Sequence, residues 1–566
     1  MDRKGIIAVI LSVIGLVWWY TKTQNEIAQY QAQLAQKRKQ AAAEAAAKTA
    51  EGSSQTAPAA PVEPTQAVAE ETVEVSTPSV KYTFTNLGGG IKKVELLKHQ
   101  GYEEGSTMFL NVEGKHPIGA LLEGARDRQN EPYTMKVEGN RVVFERMNAN
   151  GLLVTKTFTL PTEMKGAKEY TVELDVAFTN RSGAPLEKIE YSVFAGEIQP
   201  IFGGEFPYYT GLDWYRKGKA TYIDVHWFDP SRWFFIGPQR SPAKSLYEES
   251  AGDISWLGVR NQYFTSILSV QDGKGIGVWG ERIPLKMNGK EVYGIEAALR
   301  MPGFKLTPGQ AVTQKFTIFA GPKEYTLLKK LGQGQQEIMN FGIFKLVCIL
   351  LLNSMTWLKG WVNSYALAII VLTFIVRGLL WPIQGKATRS MKKMQAVQPK
   401  MMELRDKYKD DPARMNQEMM KLYKQYGVNP LAGCLPMLIQ IPIFFGFYTM
   451  LGTAVELRNS SFLWVKDLSH PDTVAYLFGF PINVLPLLMA ATMIWQIRLT
   501  PKSGDPAQQK LFMLMPIIFV VFTYQFASAL ALYYTVQNIL SIIQLYLMRN
   551  ENVPAPVPVR KGKKGR

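Results

Sequence analysis

Tyr365-Ala-Leu-Ala-Ile-Ile-Val-Leu-Thr-Phe-Ile-Val-Arg-Gly-Leu-Leu-Trp381 carries two strongly polar side chains, Thr373 and Arg377, in a run that is otherwise apolar. Its length and hydropathy read as a membrane-spanning helix. Arg377 cannot shed its proton inside a bilayer, and a guanidinium near the bilayer centre costs about 2.5–3.5 kcal/mol on insertion scales. The charge must therefore face protein or water within the membrane.

Outward from this run the chain divides in two. After about residue 340 further apolar runs follow at Leu431–Val455, Tyr476–Ile497, Leu511–Phe526 and Leu530–Met548, whereas residues up to about 330 read as soluble. At 566 residues the chain is too long for one domain. The N-terminus, Met-Asp-Arg-Lys followed by an apolar stretch ending Trp18-Trp19-Tyr20, reads as an anchor over 1–23. No small-residue cleavage site follows directly, so an uncleaved anchor is preferred to a signal peptide. With the span at 359–383 this makes six transmembrane helices.

The formal charge of +17 gathers in 384–430 and in the tail 549–566. Beside apolar spans this marks segments held inside rather than a DNA-binding surface. The loop 456–475 then falls outside, 498–510 inside, and both termini lie inside with the large domain outside. Phe341–Leu358 is apolar enough to span, but only Lys359-Gly360 separates it from the next run. Counting it would place 384–430 outside, so the segment 326–358 reads as a connection containing an interfacial helix that continues into the next span. The cysteines Cys348 and Cys434 lie in or beside apolar runs and make no disulfide framework.

Residues 24–80 read as a flexible linker, helical in part before an Ala/Pro-rich stretch. From 81 to 325 the pattern is period two: Arg141-Val-Val-Phe-Glu, Tyr170-Thr-Val-Glu-Leu-Asp-Val-Ala-Phe-Thr and Gln314-Lys-Phe-Thr-Ile-Phe-Ala. Turn signals recur at Glu138-Gly-Asn, Arg181-Ser-Gly, Gln271-Asp-Gly and Met287-Asn-Gly, which argues a β-sandwich. Gly273-Lys-Gly-Ile-Gly-Val-Trp-Gly280 opens no helix and reads as a hairpin rather than a phosphate loop.

Three sets of residues carry chemistry. Thr373 and Arg377 share a helix face. In the last run Tyr534, Gln537, Asn538 and Ser541 form a second polar stripe, and Gln440, Thr492 and Gln496 lie in intervening runs. Interhelical hydrogen bonding, worth about 0.6 kcal/mol per contact, accounts for Gln496. Arg377 with two polar stripes reads instead as a hydrated groove, and no acidic residue lies deep in a run to pair with it. The third set is the segment 384–430. Met394, Val397, Met401, Leu404 and Tyr408 face Met415, Met419, Leu422 and Tyr426 across a turn, with Asp411 as N-cap, Pro412 at the first position and Gly427 as terminator. This is a helical hairpin in which Met391, Met402 and Met420 lie off the seam, suited to transient contact with apolar segments. Its basic residues are solvated, or meet lipid headgroups or ribosomal RNA. The four histidines have no metal spacing and no nucleotide motif appears, so no cofactor and no enzyme activity is read.

Leu372-Thr-Phe-Ile-Val-Arg-Gly378, Asn429-Pro-Leu-Ala-Gly-Cys-Leu-Pro436, Gln440-Ile-Pro-Ile-Phe444 and Leu532-Tyr-Tyr-Thr-Val-Gln-Asn538 together resemble the YidC/Oxa/Alb membrane insertase family, in its Gram-negative form. The resemblance covers the whole chain. It implies a five-helix core around a hydrophilic groove, a periplasmic supersandwich domain and an inner-membrane location. Arg377 then matches the groove arginine, and Thr373 and Tyr534 match substrate contacts. The substrates are nascent membrane proteins, and the Sec translocon and the ribosome are implied partners. Phe526-Ala-Ser-Ala529 departs from the Pro-Ser-Gly of relatives at the outside turn. Two other readings stay open on the residues alone: a small-anion transporter binding at Arg377, and an anchored periplasmic scaffold.

Overall fold

The structure, a computed structural model, describes residues 69–551 except 103–104, 124–129, 163–164, 233–238, 288, 429–434, 478–479 and 502–505. Of residues 231–232, 239–240, 435–437 and 506–512 it describes the backbone alone. The anchor expected at 1–23, most of the linker, Cys434 and the basic tail from 552 lie outside these residues.

Period-two patterning becomes strand where it was read. Thr171–Asn180, Leu152–Thr159 and Ala311–Pro322 lie side by side in a 13-stranded antiparallel sheet, and inward residues alternate with outward ones along each. A second, four-stranded sheet of Thr72–Ser76, Val80–Thr85, Gly90–Gln100 and Thr107–Leu110 packs on it. Phe84 of the small sheet meets Phe158 of the large one edge-on at 5.5 Å, and Phe158 meets Phe144 at 5.7 Å. All three rings are fully buried, so the sandwich core lies between the sheets.

One expectation for this domain needs correction. The linker ends earlier than residue 80, because Val73 and Val75 give Thr72–Ser76 enough alternation to pair with Lys81–Thr85 as an edge strand. The glycine-rich segment is strand from Gly275 and forms one arm of a hairpin, as read: Gly275–Met287 pairs antiparallel with the next strand, Lys290–Leu306. Gly275–Met287 and Phe264–Val270 also pair with different halves of the long strand Leu246–Arg260. The glycines permit close approach there: a Cβ at Gly280 would lie 2.1 Å from Leu212 Cδ2.

Glu197 is fully buried in this domain. Its Oε2 accepts the Glu113 N–H at 3.2 Å, and Oε1 has no hydrogen-bond partner among the described residues. Burial, opposed by that N–H and reinforced by the nearby Glu296 carboxylate, pushes the Glu197 carboxyl up to about 7. A carboxyl raised above its unfolded value destabilises the fold when ionised. The penalty is complete above about pH 7 and vanishes as pH falls through 7 towards about 4.3, the unfolded value. Glu197→Gln should therefore stabilise the domain at pH 8 by roughly 3–4 kcal/mol at most and change nothing near pH 4.5. Hydrogen exchange at both pH values checks this; an equal gain at both would contradict it.

Helices follow the β domain. After α1 (Tyr325–Leu331), α2 (Lys345–Val362) and α3 (Tyr365–Lys407) are separated by Asn363 in the left-handed region and by Ser364, whose side chain accepts from Leu367 N. The connecting helix thus breaks before the span instead of continuing into it. It exposes Leu346, Leu350, Trp357 and Trp361, an apolar stripe at helical spacing. α3 runs unbroken from the Arg377 run into the first hairpin arm, so the boundary expected at 383–384 is not a structural one. α4 (Pro412–Tyr426) starts and stops as read: Asp411 accepts from Arg414 N, and Gly427 terminates it at φ 59°.

The remaining helices are α5 (Leu435–Thr453), α6 (Val484–Leu499), α7 (Pro506–Thr523) and α8 (Ser528–Leu547). By length and composition Gly342–Val362, α3 and α8 are long and apolar enough to cross a membrane, and α5 to α7 contain shorter apolar helices. The run expected to span from 476 begins instead as a β-ribbon, Thr473–Leu477 against Phe480–Asn483. Val474, Tyr476 and Phe480 suit strand better than helix, and Pro481 favours extended backbone before it. Tyr524 fixes the junction, donating to Pro481 O at 2.7 Å and accepting from Asn483 N at 3.1 Å. α7 and α8 are joined by only Tyr524–Ala527, so the turn is tight although it lacks the Pro-Ser-Gly that the resemblance implies there.

Candidate functional site

Arg377 is 7% exposed and reaches across from α3 to α8, where its Nη2 donates to Gln544 Oε1 at 2.7 Å. Gln544 in turn donates to Trp381 O at 3.2 Å, which fixes the amide orientation. Arg377 Nε has no hydrogen-bond partner among the described residues. A neutral amide thus orients the guanidinium without neutralising it, and no carboxylate pairs with it among the described residues. Thr373, fully buried one turn earlier, returns its hydroxyl to Ile369 O at 2.7 Å.

A second polar cluster joins α5 to α8. Gln440 Nε2 donates to Tyr533 OH at 3.2 Å, and Gln537 Nε2 donates to Gln440 Oε1 at 3.3 Å. Tyr534 is buried among Phe444, Phe519 and Tyr533, with ring centroids 4.9–5.4 Å away, and its hydroxyl has no hydrogen-bond partner among the described residues. Asn538 turns elsewhere, bonding Met489 O at 3.3 Å and Thr492 Oγ1 at 3.2 Å on α6. Its geometry is that of a helix–helix tie. Ser541 bonds back to Gln537 O at 2.8 Å.

Two residues escaped the sequence reading. Gln544 continues the α8 stripe at seven residues from Gln537, so extending the spacing one more step finds it. Tyr533 occupies the position four before Gln537, but a tyrosine in an apolar run gives no sign that its hydroxyl serves a neighbour.

Towards the basic hairpin, α3 and α8 stay in register. A Cβ at Gly385 would lie 3.8 Å from Met548 Cε. Lys392 Nζ donates to Met548 O at 2.6 Å, Glu551 O at 3.1 Å and Arg549 O at 3.2 Å, a cationic cap on the C-terminus of α8. Arg389 pairs with Glu551 at 2.6 Å. In the hairpin itself Met394, Val397 and Leu422 are buried together with Val428, flanked by Met401, Leu404 and Tyr426. Met402 and Met420 are half exposed off that seam, and Met391 is partly buried.

Residues 357–555 match the family model described as 60Kd inner membrane protein, and residues 72–353 match that of the YidC periplasmic domain. A membrane protein insertase YidC of Syntrophus aciditrophicus is 33% identical over 508 residues, covering 85% of each chain. Another, of Pelobacter propionicus, is 34% identical over 422 residues, covering 73% of this chain and 72% of the relative. A crystal structure described as active YidC insertase with its first transmembrane domain resolved is 20% identical, covers 86% of this chain and 93% of its own, and has a TM-score of 0.35. The two relatives that share a third of their residues with it over most of both chains make this chain a member of the YidC family of membrane protein insertases.

Proposed function

We propose that the chain inserts nascent membrane proteins by receiving a hydrophilic segment beside Arg377, Gln440, Gln537 and Tyr534 while the segment's apolar flank moves sideways into lipid. The observation that carries this reading is the buried Arg377 guanidinium, held by a neutral amide and unpaired with any carboxylate among the described residues. A passing acidic or polar tail supplies the missing partner, and the polar side chains replace part of its lost hydration. Burial of the substrate's apolar helix, at about 25 cal/mol per Å², drives the process. Membrane potential adds about 2.3 kcal/mol per charge per 100 mV and favours acidic tails moving outward. No covalent step is needed.

Around this site we place both termini and the 384–430 hairpin inside the cell, the β domain in the periplasm and the spans in the inner membrane. Charge distribution supports that orientation. Met391, Met402 and Met420 offer the incoming segment an adaptable surface, the basic hairpin and tail suit a ribosome and lipid headgroups, and the β domain suits contact with the Sec translocon.

Photocrosslinkers at Thr373, Gln440 and Tyr534 test the path. Each should capture the hydrophilic tail of a stalled single-span nascent chain, and absence of adducts from all three would remove the groove from the route. Gln544→Leu should lower insertion of an acidic-tailed substrate by about tenfold or less, since it removes one hydrogen bond to a charged group, worth about 1.5–3 kcal/mol, that water or substrate partly replaces. Reconstituted proteoliposomes measure this; an unchanged rate would show that Gln544 does not orient Arg377.

A further inference from the structure

A row of aromatic rings leads away from Tyr534. Its centroid lies 5.4 Å from Phe444, which lies 6.3 Å from Tyr448; Tyr448 lies 5.2 Å from Phe526, and Phe526 lies 5.6 Å from Phe206. The first four rings belong to α5, α8 and the α7–α8 turn, and the last belongs to the β domain. The row ends at a small, partly open cleft of about 40 Å³ at the junction of that domain with the helix ends. Leu530, one turn before Tyr534 on α8, also lines the cleft.

We propose that this cleft is an exit subsite, which receives the translocated tail of a substrate after it has passed Tyr534. This rests on the groove reading above. The chemistry of the cleft's lining suits a peptide. It combines Phe202, Phe206 and Phe526 with neutral polar groups from Gln262, Ser469 and His470, and contains no Lys, Arg, Asp or Glu. Neutral amides and hydroxyls match the donors and acceptors of a peptide backbone, and ring faces accept side chains of any sequence. An anionic lipid headgroup would find no lysine or arginine to bind. His470 points the same way: its Nδ1 meets Asp467 at 3.1 Å, while its Nε2 has no hydrogen-bond partner among the described residues.

The walls are also held in place. Gln262 donates to Gly452 O at 2.7 Å, Tyr263 OH donates to Ser469 O at 3.2 Å, and Arg458 donates to Gln100 O at 2.9 Å. The β domain therefore forms one fixed side of the cleft and the helix ends form the other. Neutral lining makes the subsite indifferent to tail sequence, while Arg377 deeper in supplies the preference for charge.

The test uses the full chain in proteoliposomes with benzoylphenylalanine at Gln440, at Phe206 or at Ile189, which is 86% exposed on the β domain away from the cleft lining. Substrates are single-span chains stalled at increasing length. Gln440 should capture the tail at short lengths, Phe206 only at longer ones, and Ile189 at none. Adducts from Gln440 with none from Phe206, or with phospholipid adducts alone from Phe206, would overturn the exit subsite and leave the groove reading standing. Adducts from neither would overturn both. As a second measurement, Gly204→Trp narrows the cleft from an exposed loop position. It should slow tail translocation several-fold while leaving unchanged a substrate whose tail stays inside; equal slowing of both would refute the assignment.

Discussion

Arg377→Ala should reduce insertion of a single-span substrate with a short acidic tail by roughly 10- to 100-fold. The range follows from losing a hydrogen-bonded charge contact of about 1.5–3 kcal/mol, at about 1.4 kcal/mol per tenfold. The same change should matter less for a substrate with a neutral tail, which gives the charge nothing to attract. Arg377→Lys should recover most of the acidic-tail activity, because an ammonium supplies the charge but not the planar fork that reaches Gln544 Oε1. Insertion assays on proteoliposomes with both tails decide the matter. Ala and wild type inserting every substrate alike would eliminate the charge from the mechanism, whereas failure of Lys with full loss in Ala would assign the effect to guanidinium geometry.

Asp213→Ala should cost the β domain about 3–5 kcal/mol, the usual consequence of stranding one partner of a buried ion pair. Asp213 and Arg260 are 1% and 3% exposed and meet at 2.7 Å, with the guanidinium lying 3.7 Å over the Tyr222 ring. Without the carboxylate the guanidinium remains in a site closed to water. Replacing both residues with apolar ones, Asp213→Leu with Arg260→Met, should restore most of the loss, since burying two charges is itself costly. Chemical denaturation followed through domain fluorescence separates the cases. A double variant no more stable than Asp213→Ala would mean that the pair also specifies strand packing.

Much of this was legible because it is local. Asp411, Pro412 and Gly427 mark α4 by backbone chemistry that no tertiary contact overrides. Phe144, Phe158, Leu174 and Phe316 fall on one face of their strands because the side-chain period is two. Arg377 announces itself by cost. What escaped depends on partners distant in sequence. The Thr473–Asn483 ribbon is as apolar as a span, and only Tyr524, some forty residues on, fixes where strand gives way to helix. Gln544 as the partner of Arg377 requires knowing which helix α3 faces. Asn538 belongs to the polar stripe of α8 by spacing but turns to α6 because Thr492 and Met489 O lie there. The role of Gly275–Gly280 as strand in a split pairing depends on Leu246–Arg260 being long enough to hold two neighbours.

The continuous α3 puts the buried guanidinium and an exposed methionine on one helix. From Arg377 to its end at Lys407 the helix advances about 45 Å at 1.5 Å per residue, carrying the half-exposed Met402 near its tip. Lys392 and Arg389 tie its middle to the end of α8, between tip and guanidinium. Under the proposed function, a nascent segment that meets the tip touches the same helix that carries the guanidinium, and Pro382 and Pro399 inside that helix are the places where it can bend.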